Sequence, residues 1–101
     1  KPQAENIKIS GPDKIGITSA NQVQTAEYTA EVTDNYGEIC NDEVTWNVTS
    51  GEDKLEKYDV IDGKFTITTK NTVNDGDIIE IQAKVNDTVL TKKKINLCKK
   101  S

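Results

Sequence analysis

Asn74-Asp75-Gly76-Asp77 and Asp34-Asn35 group oxygen-bearing side chains in stretches that read as loops. Carboxylates and amides gathered in this way are the ligands calcium prefers. Neither stretch has the spacing of a complete calcium loop, and Asx residues between strands also close turns by hydrogen-bonding nearby backbone. Turn formation is the reading adopted for both, and no metal or other cofactor is expected.

Other chemistry is excluded by residue type. The chain contains no histidine, so His-dependent triads, His-containing zinc sites and imidazole bases are absent from it. Two cysteines, Cys40 and Cys98, cannot form a four-cysteine zinc site. The carboxylate pairs Asp42-Glu43 and Glu52-Asp53 are adjacent in sequence. Neighbours on a strand face opposite ways, and a loop pair is simply solvated, so neither supplies the convergent groups that acid-base catalysis requires. The chain is not expected to be an enzyme.

Aromatic side chains offer a third chemistry, the stacking of sugar rings on exposed faces. The chain has one tryptophan, three tyrosines and one phenylalanine. Tyr28, Trp46 and Phe65 lie at inward positions of alternating stretches, which leaves Tyr36 and Tyr58 as candidate ligand contacts, Tyr36 first. Asn47-Val48-Thr49 and Asn86-Asp87-Thr88 match the glycosylation acceptor pattern. Such strings arise readily in a chain this rich in Asn and Thr, and Asn47 is read as the solvent-facing residue of a strand.

Charge is distributed unevenly. The net charge is -4, but the first 91 residues hold 8 lysines and 17 acids, for -9, and the last ten hold five lysines, for +5. An acidic body without a single arginine is a poor nucleic-acid binder, and no nucleic-acid partner is expected. The run Lys92 to Lys94 reads as protection of a strand edge, with docking to an anionic envelope polymer or to a neighbouring domain as its rival. No apolar run approaches the length of a membrane span, so membrane insertion is not expected. The N-terminal KPQAEN carries no signal-peptide core, which places any export signal outside this sequence.

These residues must be positioned by strands. AEYTAEVT (26–33) alternates Tyr28, Ala30 and Val32 against Glu27, Thr29, Glu31 and Thr33. EVTWNV repeats the pattern with Val44, Trp46 and Val48 inward. Asp62-Gly63 separates two further alternating runs and predicts a tight hairpin, because both central residues of that turn take positive φ. Phe65 and Ile67 then face inward, as do Ile79, Ile81, Ala83 and Val85 of DIIEIQAKVN. Ile7 and Ile9 form a first short strand, which Ile15 and Ile17 resume after Gly11-Pro12. Gly51 to Lys57 is read as a loop with at most one helical turn. Seven to eight short strands at regular spacing predict one all-β domain, an antiparallel sandwich. Residues 1–6 read as a linker, 7–98 as the domain and 99–101 as a tail.

The combination Tyr28-x-Ala30-x-Val32-x-Asp34-x-x-Gly37, Val44-Thr45-Trp46-x-Val48, Ile61-x-Gly63-x-Phe65-Thr66 and Gly76-x-x-Ile79-x-Ile81-x-Ala83 resembles bacterial immunoglobulin-like (Big) domains. The resemblance implies an Ig-like Greek-key sandwich that serves as a non-catalytic structural or adhesion module of a larger protein, extracellular on a bacterial cell surface or in a phage virion. It implies neighbouring domains as partners, a cell-surface glycan or envelope polymer as a further one, and a monomer in isolation. It departs from the family where Gly37-Glu38-Ile39-Cys40-Asn41 replaces a Gly-x-Pro-like connection. In an Ig-like fold Cys40 and Cys98 fall near opposite ends of the sandwich, so two free thiols are expected. The resemblance implies that the antibody inter-sheet disulfide would fall near Ala30 and Ala83, whose small side chains leave room for Trp46, and replacement of Trp46 by alanine is expected to cost several kcal/mol. The alternative function is a carbohydrate-binding accessory domain of a glycan- or cell-wall-active enzyme.

Overall fold

The computed structural model describes residues 3–18 and 23–99. Nine strands are formed among them: β1 (Ala4–Ser10), β2 (Lys14–Ile17), β3 (Thr25–Asp34), β4 (Ile39–Cys40), β5 (Thr45–Ser50), β6 (Leu55–Ile61), β7 (Lys64–Thr69), β8 (Ile78–Val85) and β9 (Val89–Lys99). One sheet has the order β1-β3-β7-β6, with β4 pairing to the end of β3, and the other has the order β2-β9-β8-β5. The two-residue β4 accounts for the count exceeding seven to eight.

Alternation explains most of these elements. On β8 the buried Ile79, Ile81, Ala83 and Val85 alternate with less buried partners, and β3 does the same through Ala26, Tyr28 and Val32. Asp62 and Gly63 both take positive φ, 51° and 77°, and join β6 to β7 with Val60 opposite Phe65. The first strand breaks at Gly11 and resumes as β2, which crosses to the other sheet and pairs parallel to β9, Ile15 beside Leu97. Among the described residues that is the one parallel pair in an otherwise antiparallel set.

The core falls into two parts. The larger gathers Tyr28, Phe65, Ile67, Ile79, Ile81, Ile95 and Leu97 with others, and the smaller holds Ile7, Val32, Ala83 and Val85. Ile9 and Trp46, both half-buried, pack against each part and join them. Of the twelve core positions expected from sequence, nine are buried, while Ala30, Val44 and Trp46 are only half-buried. Ala30 lies on β3, Trp46 on the edge strand β5, and Val44 just before β5, outside any strand.

The boundaries also shift. β1 begins at Ala4, so residues 4–6 are strand and not linker, and Lys99 closes β9 instead of beginning a tail. Residues 1, 2, 100 and 101 lie outside the described part. The loop expected over Gly51 to Lys57 is a single 3-10 turn, Glu52–Lys54, followed at once by β6. Leu55 starts that strand and is buried, which draws the polar segment into the sheet.

Candidate functional site

The turn after β3 is built around Asp34. Its Oδ1 accepts the backbone N–H groups of Tyr36 at 2.8 Å and Glu38 at 2.9 Å, and the Asp34 N–H in turn donates to the Glu38 carbonyl at 2.9 Å. Tyr36 therefore sits on a fixed turn and is 69% exposed. Since one carboxylate satisfies two backbone donors, Asp34→Ala should lower stability by about 1–2 kcal/mol. A urea denaturation midpoint unchanged from wild type would refute that role.

Tyr58 lies elsewhere. It projects from β6 opposite Ile67, donates its hydroxyl to a Glu52 carboxylate oxygen at 2.8 Å, and meets the Phe65 ring edge-on with centroids 5.9 Å apart. The hydrogen bond to Glu52, with burial adding to it, raises the phenol above its ordinary pKa. Ile67 is also paired with Ala26, near the start of β3, and Tyr36 follows the end of that strand. Eight residues of strand separate Ala26 from Asp34, a distance of about 26 Å. The two tyrosines are thus near opposite ends of the sandwich and do not form one sugar-binding platform.

Trp46 stacks on Phe65 across the two sheets, with centroids 5.0 Å apart and planes within 6°. Trp46, Phe65 and Tyr58 together close the flank between edge strands β5 and β6. The indole is committed to this packing, directly opposite Ala83 in register, while Asn47 faces solvent as expected.

The Asx loops are occupied with backbone. Asp77 Oδ2 accepts the Asn74 N–H at 2.8 Å, and Asp75 Oδ1 accepts the Lys99 N–H at 2.9 Å. Among the described residues, no group of three or more His, Cys, Asp or Glu is placed to hold a metal ion. No buried side-chain nitrogen or oxygen among them lacks a hydrogen-bond partner.

Cys40 and Cys98 are both free. Cys40 pairs with Val32 beside the smaller core part, and Cys98 pairs with Gly16 at the far end of β9. Burial, followed by the charges of Asp34 and Asp42, raises the Cys40 thiol above its ordinary pKa. Less thiolate is then present near neutral pH, so in a Cys98→Ser variant Cys40 should alkylate more slowly than a thiol in an unstructured peptide. A thiol assay of unreduced, denatured wild type should count two thiols per chain, and an equal or faster Cys40 rate would overturn the assignment.

Among the described residues, Lys92, Lys93 and Lys94 lie on the half of β9 that pairs with β8 alone, since β2 reaches only residues 96–99. They occupy an open edge. Lys93 has the inward parity of Ile95, and its ammonium turns aside to pair with Asp13. The hydrogen bond and charge of Lys93 hold the Asp13 carboxyl below its ordinary pKa. An inward-pointing charge on an edge discourages pairing with another chain. On the edge strands β5 and β6 the N–H groups of Val48 and Val60 donate to the preceding side chains, Asn47 at 3.0 Å and Asp59 at 2.8 Å.

A scan against protein-family models finds no match, and a search of curated proteins finds none. Solved structures do match. Domains 4 and 5 of the S-layer protein SbsC superpose with a TM-score of 0.61 at 18% identity over 97% of this chain, which spans 47% of that one. Titin domain M7 gives a TM-score of 0.56 at 18% identity, covering 100% of both chains. A chimeric titin Z1Z2 carrying an exogenous decorin peptide gives 0.56 at 15% identity over 99% of this chain and 97% of that one. At these identities the likeness concerns the fold, and the chain adopts an immunoglobulin-like β-sandwich.

Proposed function

We propose that this chain is a non-catalytic Ig-like spacer or adhesion module of a larger bacterial cell-surface or phage virion protein, of the bacterial immunoglobulin-like kind. One observation carries the reading. Ala4 of β1 pairs with Asp34 at one end of the sandwich, and Lys99 of β9 pairs with Ile17 at the other, in a body 53 Å long. A chain that enters one pole and leaves at the other extends a row of neighbouring domains by its own length. The S-layer protein among the structural neighbours supports the surface location.

The missing histidines, and the hydrogen-bonded state of the buried side-chain polar atoms among the described residues, favour a mechanical over a catalytic role. Immunogold labelling of intact source cells or purified virions tests the proposal. Surface label on unpermeabilised particles is the expected result, and label that appears only after permeabilisation would overturn it.

A further inference from the structure

The outer face of the β2-β9-β8-β5 sheet collects lysines that are scattered in sequence. Register places Lys14 beside Asn96, Lys94 beside Glu80, Lys92 beside Gln82, and Lys84 beside Leu90. All four lysines share the parity opposite to the buried Ile15, Ile79, Ile81 and Ile95, so they stand on the solvent side. Lys92 to Lys94 is one two-residue step of about 7 Å. Lys14 and Lys84 lie diagonally beyond either end at about 7–8 Å. The result is an oblique band of four ammonium groups about 22 Å long.

Within these strands the only acid on that face is Glu80, which is engaged by the Thr49 hydroxyl at 2.8 Å. At the rim, Asp87 pairs with Lys84 at 3.4 Å. Four lysines and one glutamate give the face +3, against -4 for the whole chain, so the remainder carries -7. Asn47 is paired directly with Gln82, and Gln82 with Lys92, which sets amides in a row beside the lysines. No aromatic side chain belongs to this face.

We propose that this face binds a linear polyol phosphate, a polymer of short alditols joined by phosphodiesters, laid along the lysine band. Alternate residues on a strand are separated by six backbone bonds and about 7 Å. An extended three-carbon polyol phosphate also has six backbone bonds per phosphate, so its charges repeat in step with the lysines. The amides of Asn47 and Gln82 match polyol hydroxyls. A single-stranded nucleic acid has a similar phosphate repeat, but its bases require stacking surfaces, which this face lacks. The proposal adds to the spacer reading and does not depend on it.

The test is a titration of the domain with synthetic poly(glycerol phosphate), followed by amide chemical shifts and repeated across salt concentrations. Wild type should show shifts along β8 and β9 and a log-log salt slope near about -3 for four lysines on a single-stranded polyanion. The exposed-site double variant Lys92→Gln/Lys94→Gln should keep the wild-type melting temperature, bind about tenfold more weakly, and halve the slope. Lys8→Gln/Lys57→Gln, which removes the same charge from the opposite sheet, should bind as wild type does. Oligothymidylate and polygalacturonate of matched charge should bind more weakly. Equal loss in both double variants, or equal or tighter binding of either competing polymer, would overturn the proposal.

Discussion

Phe65→Ala should destabilise the domain by about 3–5 kcal/mol, and by more than Trp46→Ala. Phe65 is 2% exposed at the centre of the larger core part, with Trp46 stacked on one face and Tyr58 against its edge. Its loss removes a fully buried ring and strips a partner from two others. Trp46 is half-buried, with part of its indole already in water, so its truncation should cost about 2 kcal/mol. In a domain of this size each kcal/mol moves the melting temperature by about 4–8 °C. Phe65→Ala should therefore lower it by about 12–40 °C, and Trp46→Ala by about 8–16 °C. Thermal unfolding followed by circular dichroism measures both, and a Trp46→Ala loss equal to or above that of Phe65→Ala would invert the roles given to the two rings. A double-mutant cycle should return a coupling of about 0.5–1.5 kcal/mol for the stack.

Gly11→Ala should cost about 3 kcal/mol although it adds a single methyl group. A Cβ at Gly11 would lie 2.3 Å from Tyr28 Cδ2 and 2.9 Å from the Glu27 carbonyl oxygen, and the residue has φ +154°. The Tyr28 ring cannot yield, because it is fully buried and its hydroxyl donates to the Pro12 carbonyl at 2.7 Å. That same burial, with the Asp13 charge adding to it, holds the phenol well above its ordinary pKa. Gly16 provides the matched comparison. A Cβ there meets no atom within 4 Å, so Gly16→Ala should leave the urea midpoint nearly unchanged. Similar midpoints for the two variants would mean that Tyr28 does not lock the break between β1 and β2.

Much of this could be read from the chain because alternation is a local property. Tyr28 with Val32, Ile79 through Val85, and Phe65 with Ile67 declare an inward face within a few residues of themselves. Asp62-Gly63 declares its turn through the backbone angles those two residues accept. Leu55 and Val73 gave no such signal. Each is a single apolar residue in a polar stretch, yet both are buried, at 5% and 3% exposure. A lone apolar residue has no period, and its burial depends on whether another element covers it.

The two tyrosines singled out as ligand contacts illustrate the same division. Composition marked them as aromatics outside the inward faces, but the length of β3 keeps them apart. The lysine band is the converse case. Lys14, Lys84, Lys92 and Lys94 span most of the chain, and they converge only because β2 crosses to the second sheet and β9 takes its register from β8.

The sequence alone therefore determined the main alternating strands, most of their inward positions, the tight hairpin turn and the absence of histidine chemistry, since each depends on residue type and near neighbours. The tertiary structure decided the parallel β2-β9 pair, the half-burial of Trp46, the separation of Tyr36 from Tyr58 and the charge of the outer sheet face. Those features depend on contacts between residues distant in sequence, and only the register and packing of the closed sandwich specify such contacts.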